Sequence, residues 1–266
     1  MTPPRELPPT SAFAGDDGGC DPALAEALRA LGAGTGSLAG VVAALAGTRV
    51  LVPVLAELEA AGVVEHGGHE HTVDKEASAG IVALQAPDGR TALPVFSSVA
   101  SMQAWRPDAR PVPTDVARAA LSAVEERWEL LVLDPGGPVT VLVPRPAVWA
   151  LAQQRDWVPA VRRVPGRADA LPGGAPTPGV GGADGGSEVD PDVRTALRDA
   201  LAGVPEVLGV DARPGRRAEV AVLLRLVPGL DRARLDAVLA RVNGALAADE
   251  TVTLRVDSLE LRLLAG

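Results

Sequence analysis

The chain has 266 residues and a formal net charge of -9, enough length for two domains that each bury a core. That acidity, with no basic stripe carrying interleaved aromatics, argues against a nucleic-acid partner, whose phosphates demand concentrated positive charge. Aromatic residues make up 2% and tyrosine is absent, so the cores must be assembled from Ala, Val and Leu.

Residues 1–20 read as a flexible leader. Its start, MTPPRELPPTSAF, has neither a basic n-region nor an apolar h-region, so no secretory signal is expected. Cys20 is the one cysteine; it permits no intramolecular disulfide and no cysteine metal cluster, and fits a reducing compartment. The most apolar region, 38–64, is broken by Arg49, Pro53, Glu57 and Glu59, and no uncharged run approaches the roughly 20 residues of a membrane span. A cytoplasmic protein without a membrane partner is expected.

Asp21-Pro22 opens a helix, with an N-cap aspartate, proline at the first helical position and Leu24, Leu28 and Leu31 on one face. A second helix runs from Ser37 to Ala46, and Arg49–Val54 reads as a buried strand. An apolar segment, Leu55 to Val64, and a loop to Lys75 follow. Gly80–Gln85 and Ala92–Phe96 then flank Pro87-Asp88-Gly89, a turn by residue type, and two strands joined that tightly must be antiparallel. Pro94 cannot donate to a ladder, so its strand lies at an edge or its missing N–H faces away from the partner. Ser98 caps a short helix through Met102 and Trp105, and Arg110-Pro111-Val112-Pro113 forces an extended connection. Thr114 or Asp115 caps the next helix, with Val116, Ala119, Ala120, Ala123 and Val124 at helical spacing. Strands Leu130–Leu133 and Val139–Val143 are joined by Asp134-Pro135-Gly136-Gly137, and a helix from Pro146 to Gln153 closes the domain.

From Pro165 to Ser187, Gly and Pro dominate and no apolar period survives, which is the composition of a flexible linker. Beyond it, Asp190-Pro191 starts another helix with Val193, Ala196, Leu197, Ala200 and Leu201 as its apolar stripe. Val207–Ala212 and Glu219–Val227 flank Arg213-Pro214-Gly215-Arg216 as a hairpin. Leu235, Val238, Leu239 and Val242 mark a helix. Val252, Leu254 and Val256 alternate as a last strand, which Leu259, Leu261 and Leu263 continue in the opposite phase after a bulge or turn at Asp257-Ser258. The fold class is α+β, two small mixed α/β-sheet domains joined by a Gly/Pro-rich linker, with boundaries at 1–20, 21–162, 163–188 and 189–266.

Few residues carry chemistry. Gly32-Ala33-Gly34-Thr35-Gly36-Ser37 follows a helix where a phosphate loop follows a strand, and reads as a helix–helix connection. His66, His69 and His71, beside Glu65 and Glu70, are the three histidines of the chain and offer the nitrogen ligands zinc prefers, but Gly67-Gly68 makes their loop too mobile for a built site; no metal and no cofactor are expected. Ser97-Ser98 lacks a nucleophile elbow, and Cys20 has no partner histidine. Asp115, Glu125, Glu126 and Asp134 read as caps, turns and solvated faces, and Lys75-Glu76 as a surface pair. Trp105, Trp128, Trp149 and Trp157 fill cores or mark a partner site.

The strings KEASAGIVALQAPDGRTALPVFSSVASMQAWRPDARP (75–111), LPVFSS, WRPDARPVP and LVLDP carry a resemblance to the SseB (enhanced serine sensitivity) family in its actinobacterial form, over residues 12–160. Ala79-Gly80 depart from the polar residue and methionine expected there. The part after the linker is similar by pattern to the C-terminal domain paired with it in that family. The resemblance implies no defined catalytic activity. The expected function is a non-enzymatic protein-interaction or regulatory module with Trp105 and Arg110 as candidate binding residues. A small-molecule site in the N-terminal domain, related to amino acids, is the alternative, and a homo-oligomer built through an edge strand is the third reading.

Overall fold

A computed structural model describes residues 13–55, 82–86, 88–163 and 186–264. The histidine loop, Lys75-Glu76, Pro87, the Leu55–Val64 segment beyond Leu55 and almost all of the predicted linker lie outside the described residues. The chain divides into two compact units, Met1–Asp156 and Trp157–Gly266.

In the first unit, α1 (Pro22–Gly32) begins where Asp21 accepts the Ala23 and Leu24 N–H groups, and α2 (Leu38–Leu45) where Ser37 accepts that of Gly40. Strands β1 (Arg49–Val54), β2 (Leu84–Gln85) and β3 (Thr91–Val95) follow, then α3 (Val99–Trp105), β4 (Arg110–Asp115), α4 (Val116–Glu125), β5 (Leu130–Leu133), β6 (Val141–Val143) and α5 (Arg145–Ala152). One sheet runs β2-β3-β5-β6, with β3 and β5 parallel and the outer pairs antiparallel. A second sheet pairs β1 with β4, and a single bridge from Leu51 to Phe96 joins the two. With so few aromatics, close approach replaces bulk. Ala119, Ala120 and Ala123 of α4 and Ala147 of α5 are all buried, and side chains this small let the two helices pack tightly on each other and on the strands.

Prolines decide the pairing. The Val116 N–H donates to Thr48 O (3.0 Å), which makes 50/114, 52/112 and 54/110 the hydrogen-bonded pairs of the β1–β4 ladder. Pro53, Pro111 and Pro113 therefore all stand at positions whose N–H would point away from the partner strand, where proline removes nothing. The predicted extended connection at Arg110–Pro113 is thus a paired strand. Its outer edge, lacking donors at 111 and 113, is closed to strand addition.

Pro94 does not lie on an edge strand, because β3 is flanked on both sides. The Thr91 and Val95 carbonyls accept from Glu129 and Asp134 N–H groups beside β5, and Arg90 O accepts from Ala86 in the hairpin turn. Odd-numbered residues of β3 thus face β5 and even-numbered ones the other side. On that side β2 pairs as far as Ala92, and Phe96 exchanges two 2.9 Å hydrogen bonds with Leu51 of β1. Pro94 stands between, at the handover from one neighbour to the next, where no donor is required.

The second unit starts with β7 (Val161–Arg163), which pairs antiparallel with β8 (Ser187–Val189). Next come α6 (Pro191–Leu201), β9 (Val207–Pro214), β10 (Val220–Leu226), α7 (Arg232–Ala248), α8 (Glu250–Arg255) and β11 (Leu259–Leu264). The sheet order is β11-β10-β9, antiparallel between β9 and β10 and parallel between β10 and β11. Val220, Val222 and Leu224 turn one face toward Val193, Leu197, Val238 and Val242 of the helices. The alternation of Val252, Leu254 and Val256 predicts a strand, and the structure corrects it to α8. Asp249 caps this helix by accepting the Val252 N–H (2.9 Å). Val252 and Val256, four apart, are buried while Leu254 is 47% exposed, so the decisive spacing is helical. The change of phase at Asp257-Ser258 is a helix-to-strand junction.

Candidate functional site

Strands β3 and β5 run parallel and end side by side, Val95 opposite Leu133. The carboxyl ends of parallel strands are where sheets of this kind gather functional side chains, and here the next residues bring Ser97 and Asp134 together. The Ser97 N–H donates to Asp134 Oδ1 (2.9 Å) and its hydroxyl to Oδ2 (2.6 Å). Both residues are buried. Asp134 has φ of 49°, a left-handed conformation that aspartate tolerates better than most residues. Its carbonyl accepts from Gly137 N–H (3.1 Å) and from the Thr140 hydroxyl (2.9 Å).

Around this pair the chain before α1 is tied down. The Arg49 guanidinium donates to Ser97 O (2.8 Å) and Gly19 O (2.6 Å) and grips the Asp16 carboxylate through Nε and a terminal nitrogen. The hydrogen bonds from Arg49 hold Asp16 below the ordinary carboxylate value. Val99 N–H donates to Gly18 O (2.8 Å), and a β-carbon on Gly18, whose φ is +76°, would collide with the Val99 side chain at 2.6 Å. Cys20 is half-buried here, and its thiol donates to Asp21 O (3.4 Å). Burial pushes that thiol above its ordinary value, opposed in part by a hydrogen bond with Ser97. The thiol is protonated at neutral pH and is a poor nucleophile. Both carboxylate oxygens of Asp134 accept from Ser97, so the carboxylate fastens the ends of two strands. The arrangement is a clamp.

The two binding residues expected from sequence occupy different surroundings. Trp105 ends α3 half-buried, its ring 5.2 Å from that of Phe96 at 38°, in a cluster with Leu51, Met102 and Ala109. Arg110 opens β4 opposite Val54 and is exposed, as are Pro111 and Val112. Of the other tryptophans, Trp149 is 40% exposed on α5 and Trp157 is the first residue of the second unit. His66, His69 and His71 lie outside the described residues, among which no group of three or more His, Cys, Asp or Glu is placed to hold a metal ion. Nor, among the described residues, is any helix long and apolar enough to cross a membrane.

A groove of about 500 Å³ opens at the start of α4, lined by Thr48, Asp115, Arg118, Gln154, Arg155 and Asp156. Asp115 is the N-cap residue, yet its side chain does not cap the helix. Two guanidinium and two carboxylate groups thus share one rim.

The Ser97–Asp134 clamp escapes a reading of local sequence because its members are 37 residues apart, and each is ordinary where it stands. One signal does point to it. Ser97 falls in LPVFSS and Asp134 in LVLDP, two of the strings that carry the family resemblance, and the structure joins them.

Residues 24–150 match the SseB protein N-terminal domain. That stretch, a little under half of the chain, runs from α1 into α5, and over it the first unit is similar to the SseB N-terminal domain. No curated protein and no solved structure matches the chain. The clamp, the Trp105 cluster and the β1–β4 pair all lie inside the matched residues, while the second unit lies beyond them.

Proposed function

We propose that this protein is a non-enzymatic, cytoplasmic interaction module of the SseB family whose N-terminal domain docks a protein partner through the exposed stretch around β4. The observation that supports it is the combination of exposure and stiffness there. Arg110, Pro111 and Val112 project from a strand pinned to β1, and the prolines at 111 and 113 restrict the backbone further. A surface already ordered loses little conformational entropy on binding. With the edge closed to strand addition, a partner would be read by side chains, with Arg110 and Val112 as anchors. The second unit would then be the C-terminal domain that accompanies the SseB N-terminal domain.

Capture with crosslinking from the protein's own cells tests this. One enriched protein partner should be recovered with the full chain and lost, about 10-fold or more, with Arg110→Ala or Val112→Asp, the loss expected of an interface anchor. If the folded wild-type chain enriches nothing, or the variants enrich the same species undiminished, the reading fails.

The groove at α4 favours a second reading, an amino-acid-related small ligand. Arg118 and Arg155 would take its carboxylate and Asp115 or Asp156 its ammonium group. In a thermal-shift series with serine and related amino acids, a ligand at about 100 times its Kd adds roughly 2.7 kcal/mol to the stability of the unit that binds it. A flat series would count against this site.

A further inference from the structure

Strand β11 has one bonded side and one open side, and the two can be assigned residue by residue. Val220 N–H donates to Ser258 O (3.2 Å), and the parallel register runs from Val220 beside Leu259 to Arg225 beside Leu264. It follows that Ser258, Glu260, Arg262 and Leu264 present their backbone groups to β10, while Leu259, Leu261 and Leu263 present theirs outward. Among the described residues no strand pairs with that outer side. No proline interrupts it, in contrast to β4 of the first unit. Leu263 and Leu264 are 47% and 41% exposed. An edge with free donors, free acceptors and leucine side chains is a template for one more strand.

We propose that the added strand is β11 of a second copy of this chain, antiparallel about a two-fold axis, so that two three-stranded sheets become one of six strands. The side chains select both the occupant and the register. Antiparallel pairing of a segment with itself matches outward residues only when the axis passes through Glu260, Leu261 or Arg262, among centres that keep most of the strand paired. The first places Glu260 against Glu260 and the last Arg262 against Arg262, and like charges directly opposite are destabilising. The middle register places Glu260 opposite the partner's Arg262 twice, Leu259 opposite the partner's Leu263 twice, and Leu261 at the axis opposite the partner's Leu261. Backbone, charge and apolar patterns agree only there. The charged pairs would join a network already present, since Glu260 accepts from the Arg216 N–H (2.8 Å) and from the Arg262 guanidinium (2.7 Å) of its own chain. On the opposite face, Leu259 and Leu261 already pack on the core of the second unit, and pairing would carry that core across the axis.

Sedimentation velocity of the full chain tests the proposal. A single strand pair is a small contact, in the class of weak complexes, so the dimer should emerge at about 100 µM and dissociate on dilution. Arg262→Glu sets Glu260 against a glutamate in the selected register and should weaken dimerisation about 10-fold or more. The double variant Glu260→Arg with Arg262→Glu restores opposite charges, within each chain and across the axis, and should recover the dimer. Leu263→Pro removes an outward N–H without touching the ladder to β10, and should abolish the dimer while leaving the circular dichroism of the monomer unchanged. If Arg262→Glu does not fold, Leu263→Pro decides. A wild-type chain that stays monomeric at about 500 µM, well above the range expected for such a contact, or a dimer that survives either folded variant, overturns the proposal.

Discussion

Asp134→Ala should be among the most damaging single changes in the first unit, although it alters a residue in a turn. It leaves the Ser97 N–H buried without its acceptor and the hydroxyl with only the more distant Ser101 oxygen (3.4 Å), where the wild type supplies bonds of 2.9 and 2.6 Å. A hydrogen bond to a charged group is worth about 1.5–3 kcal/mol, and a buried donor left unmade adds its desolvation cost. Alanine also tolerates the φ of 49° less well than aspartate. The expected loss is about 3 kcal/mol, or a fall of roughly 10 °C in the Tm of that unit. Asp134→Asn separates the causes. Asparagine accepts the left-handed backbone and keeps one oxygen for Ser97, so its loss should be about half as large. Thermal unfolding followed by near-UV circular dichroism reports the packing of Trp105, Trp128 and Trp149. A loss below about 1 kcal/mol for the alanine variant, the yield of one ordinary hydrogen bond, would show that the clamp does not hold the strand ends.

How far the sequence is legible follows from how local each cause is. Asp21-Pro22, Ser37, Ser98 and Asp190-Pro191 each announce a helix start within four residues, because a cap is a contact between near neighbours, and all four helices begin there. The Asp134–Gly137 turn brings β5 and β6 together for the same reason. Pairing across long separations is less readable. That Arg110–Asp115 bonds to Arg49–Val54, or that β3 is parallel to β5, depends on segments tens of residues apart, and the prolines that seem to forbid pairing are harmless once their orientation in the ladder is known. Val252, Leu254 and Val256 mislead because three alternating apolar residues satisfy a strand while two of them, four apart, also satisfy a helix, and the Asp249 cap decides. At the candidate site, Trp105 and Arg110 stand out by residue type, whereas Ser97 and Asp134 gain their meaning only from each other.

In the second unit the corresponding keystone is Asp190, and Asp190→Ala should cost about 3–5 kcal/mol, the usual result of removing one member of a buried ion pair. Asp190 is 4% exposed. It caps α6 by accepting the Asp192 N–H (3.1 Å), and it binds Arg162 Nε (3.2 Å) and a terminal nitrogen of Arg255 (3.1 Å). Through Arg162 it holds β7, the strand that precedes residue 164, against the body of the unit, and its own N–H donates to Ala160 O (2.8 Å). Arg255 Nε is buried without a hydrogen-bond partner already, and without Asp190 its guanidinium is left with the longer contacts to exposed Asp192 (3.7 Å) and to Val158 O (3.5 Å). Burial alone would push the Asp190 carboxyl up, but Arg255 and Arg162 outweigh it, and the group lies below its ordinary value of 3.8. A depressed acid stabilises the fold above its unfolded value and loses that contribution as pH falls through the folded one, so the wild-type unit should weaken in acid below about pH 3.8 by more than the variant does. Because the two units need not melt together, hydrogen exchange resolved by peptide is the suitable measurement. In Asp190→Ala, protection of β10 should fall by about 100-fold or more at neutral pH while peptides of β3 and β5 keep theirs; equal protection of β10 in variant and wild type would remove Asp190 from this role.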